Sequence, residues 1–570
     1  MKNSLEKLVL LFALALIFIF GFFSILDKSM TWDERCYIGA GKYILNTGNF
    51  QYNIFAYHPP LSFYINSIFI MPFKFGEKIF SNDNCWIIGN DMVYHSGYSP
   101  RLMLILARLP FILMSMILAL YIFYWAKQLY GIKSGLLAIG LYTFSTSIIS
   151  QSNLAMTDFT VTFFIFTTMY YYWKFSLSNK NIHLFLASIF FGFAMLSKLT
   201  GLILIPVLMI MIFYDALKDK RGKKRFLSVT KKLSIIFIIG FFIMFAGYGF
   251  QFKPLKDVMP NHYVYRAYEE FNKQIQNNAL RKSVVYAFEK VPIPFPSYFF
   301  GFGSVSFHSK EGQGSFLNGR IFLKTPWYYP IAVFFYKTQI SLFALIILSI
   351  FYFNKTKSKY PSYEYIQILP ILVIFILFML SNMTAGLRHI IPVYPFIFLF
   401  CGKIARLKNG WINTVLVILF VYYTISSLLI FPNYMVYFNE FAGGAGNGYK
   451  HLVGGNLDQG QDLPGLKKFM EENHVNKINL SYFGSIDPKE YVNYDYLPSP
   501  YFQPWVPDFK WNEDIKIRKE DCSEKKGWVA VSATNLQNVH LINATCFNWL
   551  KKYTPVKKIG YSIFVYDIKI

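Results

Sequence analysis

The stretch Leu184–Tyr214 reads LFLASIFFGFAMLSKLTGLILIPVLMIMIFY, with one charge, Lys198, in an otherwise apolar run. As one helix it would reach about 46 Å at 1.5 Å per residue. A hydrocarbon core is only roughly 30 Å thick, so one span of that length is too long. As two helices broken at SKLTG, each is short for a span. Charge decides between them. The following loop carries Lys218, Lys220, Arg221, Lys223, Lys224, Arg225, Lys231 and Lys232. Basic residues gather in loops retained on the cytoplasmic side. Two helices put this loop on the same side as those holding Lys127 and Lys133, Lys355, Lys357 and Lys359, and Lys403, Arg406 and Lys408. One helix would put the most basic loop outside. The sequence therefore reads as two helices, with Lys198 at their outer turn.

Working outward, further apolar runs fall at 8–26, 101–125, 135–152, 158–175, 234–252, 328–353, 364–381, 389–403 and 411–432. With 184–197 and 200–214 they predict about eleven transmembrane helices. The chain of 570 residues is 54% hydrophobic and 15% charged, where soluble proteins carry about a quarter charged residues. The net charge of +25 belongs to cytoplasmic loops and excludes no nucleic-acid role by itself, but needs none; no nucleic-acid partner is expected. The first run lacks a small-x-small cleavage site and reads as a retained span. The fold class is a mainly α polytopic membrane protein with a small C-terminal α/β domain.

The predicted organisation is a transmembrane domain, 1–432, with outer loops 27–100 and 253–327, followed by an extracytoplasmic domain, 433–570. In the latter, LPGLKKFMEEN has helical spacing, and VNKINLSYFG, GWVAVSAT and GYSIFVYDI read as strands. Four of the five cysteines lie in segments placed outside. Two disulfides, Cys36 with Cys85 and Cys522 with Cys546, or free thiols are both open readings. No cysteine or histidine spacing marks a metal site.

Ionisable residues gather at one predicted membrane level. TWDERCYIGAGKYIL, Thr31–Leu45, puts Asp33 and Glu34 at the outer mouth of the first span. Thr31 and Glu34 have capping-box spacing, so the acids could serve only to start a helix. That helix could rest on the membrane, with Tyr37, Ala40, Ile44 and Leu45 on one face. Asp158 opens the fourth span, and Arg388 and His389 open the tenth. Arg101 and Arg108 are seven residues apart on one helix face. An arginine within a span costs about 2.5–3.5 kcal/mol on insertion scales, so it is normally paired or lines a wet cavity. Guanidinium and ammonium groups suit a lipid-borne phosphate, and a carboxylate can take a proton from a hydroxyl.

WDERCYIGAGKYIL, YHPPL, ARLPF, MTDFTVTFF, LSKLTG and GLRHIIPVYPF follow one another as in membrane-embedded GT-C glycosyltransferases. The chain resembles family 39 and its relatives, the protein O-mannosyltransferases and lipid A aminoarabinose transferases. PIPFPSYFFGFGSV, FLNGR, PWYYPIAVFFYKTQ and NEFAGGAGNGYKHLVGGNLDQGQDL resemble a prokaryotic subgroup of unassigned acceptor. Where that subgroup usually has Trp, this chain has Gln459. The resemblance implies transfer of a hexosyl or pentosyl group from a polyprenyl-phosphate carrier to a lipid, protein or glycan acceptor. The implied setting is the outer side of the plasma membrane, with the N-terminus cytoplasmic. On this mapping Asp33 is the candidate base, Glu34 completes its pair, and Asp158 lines the same cavity. Arg108, Lys198 and Arg388 would face the donor phosphate, with Arg101 and Lys337 as further candidates. Lys337 either lies deep in the eighth span or starts it after an interfacial helix. Tyr37, His58, His389 and Asp458 are candidate cavity residues, His58 chiefly as the shaper of its His-Pro-Pro turn.

The expected chemistry is one in-line displacement with inversion at the anomeric carbon, without a covalent intermediate. It requires no cofactor, and leaves room for a divalent cation near Asp33, Glu34 or His58. A transporter or flippase of polyprenyl-linked sugar is the alternative. It would place ionisable groups on both membrane faces or near the midplane, and has no need of an Asp-Glu pair at one mouth.

Overall fold

The computed structural model describes residues 2–50, 58–81, 84–218, 223–312, 314–383, 386–500 and 521–569. Part of the basic loop used above, Lys220 and Arg221, lies outside the described residues, as does Tyr57 of YHPPL.

The break within 184–214 occurs where the charge sits. A helix Asn181–Ser197 ends at Lys198, whose backbone is extended; a 3-10 turn Leu199–Ile203 leads into the helix Leu204–Lys218. The protein is mostly helical and multi-pass. Among the described residues, seven helices are long and apolar enough to cross a membrane, or up to nine if each of two bent pairs counts once. The bent pairs are Ile132–Thr143 with Thr146–Ser152, at 60°, and Tyr329–Lys337 with Ile340–Phe351, at 109°. The count of about eleven is thus not reached on length and apolarity. The helix Asn181–Ser197 is short, and Thr157–Ser178 is rich in Thr and Tyr. Burial accounts for the latter's polarity: the helix is buried along nearly its whole length. Thr162, Thr167 and Thr168 hydroxyls donate to carbonyls one turn back, those of Asp158, Phe163 and Phe164, so these three hydroxyls are satisfied within the helix.

The chain forms two compact units. The first comprises Met1–Arg35, Ser99–Leu154 and Glu311–Ile570, and the second Cys36–Tyr98 and Ala155–Lys310. The C-terminal sheet groups with the first unit. Its strands are β1 (Ile478–Ser481), β2 (Tyr494–Tyr496), β3 (Gly527–Ser532), β4 (Lys557–Ile559) and β5 (Ile563–Ile568), in the order β2-β1-β3-β5-β4. The helix Leu463–Glu472 packs Leu463, Leu466 and Met470 against Leu480, Ala530 and Val565 of the sheet. The sequence pattern shows β1, β3 and β5 because their cores are apolar. The two edges, β2 and β4, are three residues each and carry Asp495, Lys557 and Lys558, the polar, short form that edge strands take.

In the second unit the helix Glu34–Thr47, whose first two residues belong to the first unit, does not rest one face on a surface. Residues 34–44 are buried throughout, while Leu45 is exposed. Gly41 allows this: a Cβ there would lie 2.0 Å from the Phe63 carbonyl oxygen. The Cys36–Cys85 disulfide ties the same helix to the helix Cys85–Tyr94. Cys522 and Cys546 are bonded in the first unit, and Cys401 is a buried thiol.

Candidate functional site

Glu34 and Arg108 form a sealed ion pair in the first unit, and both side chains are 0% exposed. Arg108 lies inside the helix Pro100–Tyr130. Its Nε donates to Glu34 Oε1 at 2.9 Å and its Nη2 to Oε2 at 2.7 Å, the two-pronged geometry that makes Arg–carboxylate pairs strong. Nη2 also donates to the Ser29 carbonyl at 2.8 Å. Glu34 Oε2 accepts further bonds from the Thr31 amide and hydroxyl, each at 2.9 Å. The capping-box spacing is therefore used, and the carboxylate is occupied on both oxygens. Beside the pair, a cavity of about 30 Å³ is lined by Lys28, Thr31, Arg108, Asn153, Asn433 and Gln461. That is room for one or two waters and not for a sugar.

Asp33, one residue earlier, has a different setting. Its Oδ2 accepts from Arg388 Nη1, and the two side chains keep 21% and 22% of their surface exposed. Arg388 sits on the short helix Leu387–Ile390, entered through Gly386 at φ +66°. The first amide of that helix, Leu387 N–H, donates to Asn456 Oδ1 at 2.9 Å. Lys337 ends the helix Tyr329–Lys337 just before its sharp bend. Its Nζ donates at 2.7 Å to the carbonyls of Met435 and Asn456, and lies 4.3 Å from the centre of the Phe438 ring.

The Gly-rich run at 454–462 is buried between these groups and the sheet. Asp462 accepts from Lys28 Nζ at 2.5 Å and from the Ser562 hydroxyl at 2.5 Å. Asp458 is 0% exposed, so it lines no open cavity. Its Oδ2 accepts from the Thr534 amide at 3.2 Å and the Thr534 hydroxyl at 3.0 Å. Burial pushes the Asp458 carboxyl up to about 7, against these stabilising hydrogen bonds. A solvated Asp releases its proton near ~3.9. Across that window the folded form binds more protons, so stability contributed here falls as pH rises from about 4 to about 7. Wild-type melting temperature is expected to drop relative to Asp458→Asn between pH 5 and pH 8. A gap between the two that stays constant with pH would contradict this.

In the second unit, Lys198 Nζ donates to Asp158 Oδ1, with both side chains under a tenth exposed. The break at Lys198 and the start of the helix Thr157–Ser178 thus share an ion pair. Tyr37 is stacked on Phe63 with centroids 5.0 Å apart and is 3% exposed, a core position. His58 meets the Tyr37 ring edge-on at 5.8 Å. Two first-unit candidates stand apart from the paired groups. Arg101 is 60% exposed and reaches Asp27 at 3.4 Å; His389 is stacked on Phe378 at 4.8 Å. Among the described residues, no group of three or more His, Cys, Asp or Glu is placed to hold a metal ion. Reading the sequence missed Lys28, Asn456 and Thr534 as neighbours of the site. The only signal was the Gly-rich motif that contains Asn456.

Residues 85–258 match the family model described as dolichyl-phosphate-mannose-protein mannosyltransferase, in line with the GT-C glycosyltransferase resemblance of the motifs. No curated protein matches the chain in sequence. Among solved structures, ArnT from Cupriavidus metallidurans bound to undecaprenyl phosphate is 12% identical, with a TM-score of 0.44 over 76% of this chain and 72% of that one. The Saccharomyces cerevisiae Pmt1–Pmt2 protein O-mannosyltransferase complex bound to the sugar donor is 16% identical, with a TM-score of 0.35 over 45% of this chain and 37% of that one. The Archaeoglobus fulgidus oligosaccharyltransferase AglB, in complex with an inhibitory peptide and a dolichol-phosphate, is 12% identical. Its TM-score is 0.42 over 75% of this chain and 56% of that one.

Proposed function

We propose that this multi-pass protein, whose residues 85–258 match a glycosyltransferase family model, moves a sugar from a polyprenyl-phosphate carrier to an acceptor hydroxyl. The observation that carries the reading is the contrast between its two adjacent acids. Glu34 is sealed on Arg108, whereas Asp33 and its partner Arg388 keep about a fifth of their surfaces open. Only Asp33 of the two can meet a substrate without breaking a buried ion pair.

The acceptor oxygen attacks the anomeric carbon, and its proton passes to Asp33. The bond from that carbon to the phosphate oxygen breaks, and the polyprenyl phosphate leaves with the electron pair. Arg388, freed from Asp33, is the cation that meets the departing phosphate, where charge stabilisation is most effective. Binding a phosphate at Arg388 also releases Asp33 as a base. Asp33 suffices because the hydroxyl proton becomes acidic as the new bond forms. One displacement inverts the configuration. Arg108 acts through Glu34 and does not take the phosphate itself. No metal ion is required. The acceptor is a lipid, protein or glycan on the outer side of the cell membrane. The two disulfides support that sidedness, since both lie in segments placed outside and disulfides persist in oxidising compartments.

The test is purified protein in vesicles, given a panel of radiolabelled hexosyl and pentosyl polyprenyl phosphates. Release or transfer of sugar from one donor, inverted in the product, is the expected result. Movement of labelled donor across the bilayer with no sugar released from any donor would replace the transferase by a flippase.

A further inference from the structure

The motif GGNLDQGQDL, Gly454–Leu463, hydrogen-bonds to the segments that carry the two members of the Asp33–Arg388 pair. On the Asp33 side, the Ser29 amide donates to the Gln461 carbonyl at 3.0 Å, and the Ser29 hydroxyl to the Gly460 carbonyl at 2.7 Å. The Trp32 amide donates to the Gln459 carbonyl at 3.1 Å. Lys28 closes this side through Asp462. Two of these four bonds are backbone to backbone, and all four tie the segment that presents Asp33 to a loop some 430 residues later in the chain.

On the Arg388 side the contact is a side chain. Asn456 Oδ1 accepts the Leu387 amide, and Asn456 Nδ2 donates to the Tyr329 hydroxyl at 3.0 Å. Its carbonyl accepts from Lys337. Asn456 is 2% exposed, so each of these bonds replaces one that water cannot make. The approach is close: a Cβ on Gly386 would lie 2.5 Å from Asn456 Oδ1, and Gly386 has a backbone that favours glycine. Arg388 therefore leaves a helix whose first amide and entry turn are both seated on one asparagine.

We infer that the 454–462 loop is the template that sets the Asp33–Arg388 geometry, with Asn456 as a positioning residue for Arg388. This gives the C-terminal segment a role in assembling the acid–base pair, distinct from the recognition of any acceptor. The inference rests on the function proposed above for its kinetic consequence, but not for its structural one.

The experiment compares wild type, Asn456→Ala and Asn456→Asp in detergent or vesicles, by hydrogen exchange and by sugar transfer. Aspartate keeps an oxygen for the Leu387 amide; alanine does not. The expected result for the alanine variant is faster exchange at 387–391, with exchange elsewhere in the chain as in wild type. Its kcat falls by about tenfold to a hundredfold, as small misplacements of reacting groups produce, while donor KM moves little. The aspartate variant recovers protection at 387–391 and most of the rate. Unchanged exchange at 387–391 in the alanine variant overturns the inference whatever the activity. So does faster exchange there with a wild-type kcat, or an aspartate variant no better than alanine. Failure of wild type to turn over any donor sinks the proposed function instead, and the exchange arm still decides whether Asn456 holds the helix.

Discussion

Asp33→Asn leaves the protein folded, membrane-inserted and able to bind donor, yet lowers sugar transfer by about 10²–10⁴-fold, the range supplied by a positioned general base. The substitution is chosen because it changes charge and not shape. An asparagine oxygen still accepts from Arg388, so the helix carrying that arginine keeps its contact. The pair is one-fifth exposed on each side, and a partly solvated ion pair contributes only about 0–1 kcal/mol to stability. Melting temperature therefore changes little, and the loss falls on the chemical step. Donor affinity stays the same or rises, because Arg388 is no longer held by a carboxylate. The measurement is single-turnover transfer with saturating donor, beside a donor-binding titration. A near-normal rate removes Asp33 from the base role.

Glu34→Gln has the opposite signature: it acts on stability first. Glu34 and Arg108 are both fully buried, and Arg108 places its Nε and Nη2 on the carboxylate. Removing one charge leaves the other desolvated without a partner, at a cost of about 3–5 kcal/mol. Against a typical net stability of about 5–15 kcal/mol, that is a large share. Arg108→Ala is expected to do the same, with an added cavity. Replacing both by apolar residues of similar volume, Glu34→Leu with Arg108→Met, recovers most of the lost melting temperature, since a buried pair is often no more stabilising than well-packed hydrophobes. Transfer does not recover in the double variant, because Thr31 and Ser29 lose the partners that orient the segment ahead of Asp33. Thermal melting of all four proteins, with transfer rates alongside, checks this. Single variants that melt with wild type would show that the pair is not a structural strut.

The two results together would separate roles that the sequence presents as equivalent. Asp33 and Glu34 are neighbours of the same charge, and residue type alone cannot say which is the base and which is the strut. Burial says it. The same holds for the arginines: Arg101 and Arg108 share a helix, yet Arg101 stands in solvent beside Asp27 while Arg108 is sealed. Asp458 carries the same lesson. It sits in a motif that resembles a functional one, but its carboxylate is enclosed by Thr534 and Gly460.

The sequence by itself determined where the apolar helical runs lie, though not their count as spans or their bends, along with the break at Lys198, the three central strands of the C-terminal sheet and the set of ionisable residues worth following. Each is a local property: apolar periodicity, the length of a hydrophobic run or a charge inside it depends on residues within a few turns of one another. Only the tertiary structure decided the partners. Asp33 meets Arg388 across 355 residues, Glu34 meets Arg108 across 74, and Lys28 meets Asp462 across 434. Those pairings depend on the path of the whole chain, and their consequences depend on how much water the fold leaves at each pair. No window of sequence contains either quantity.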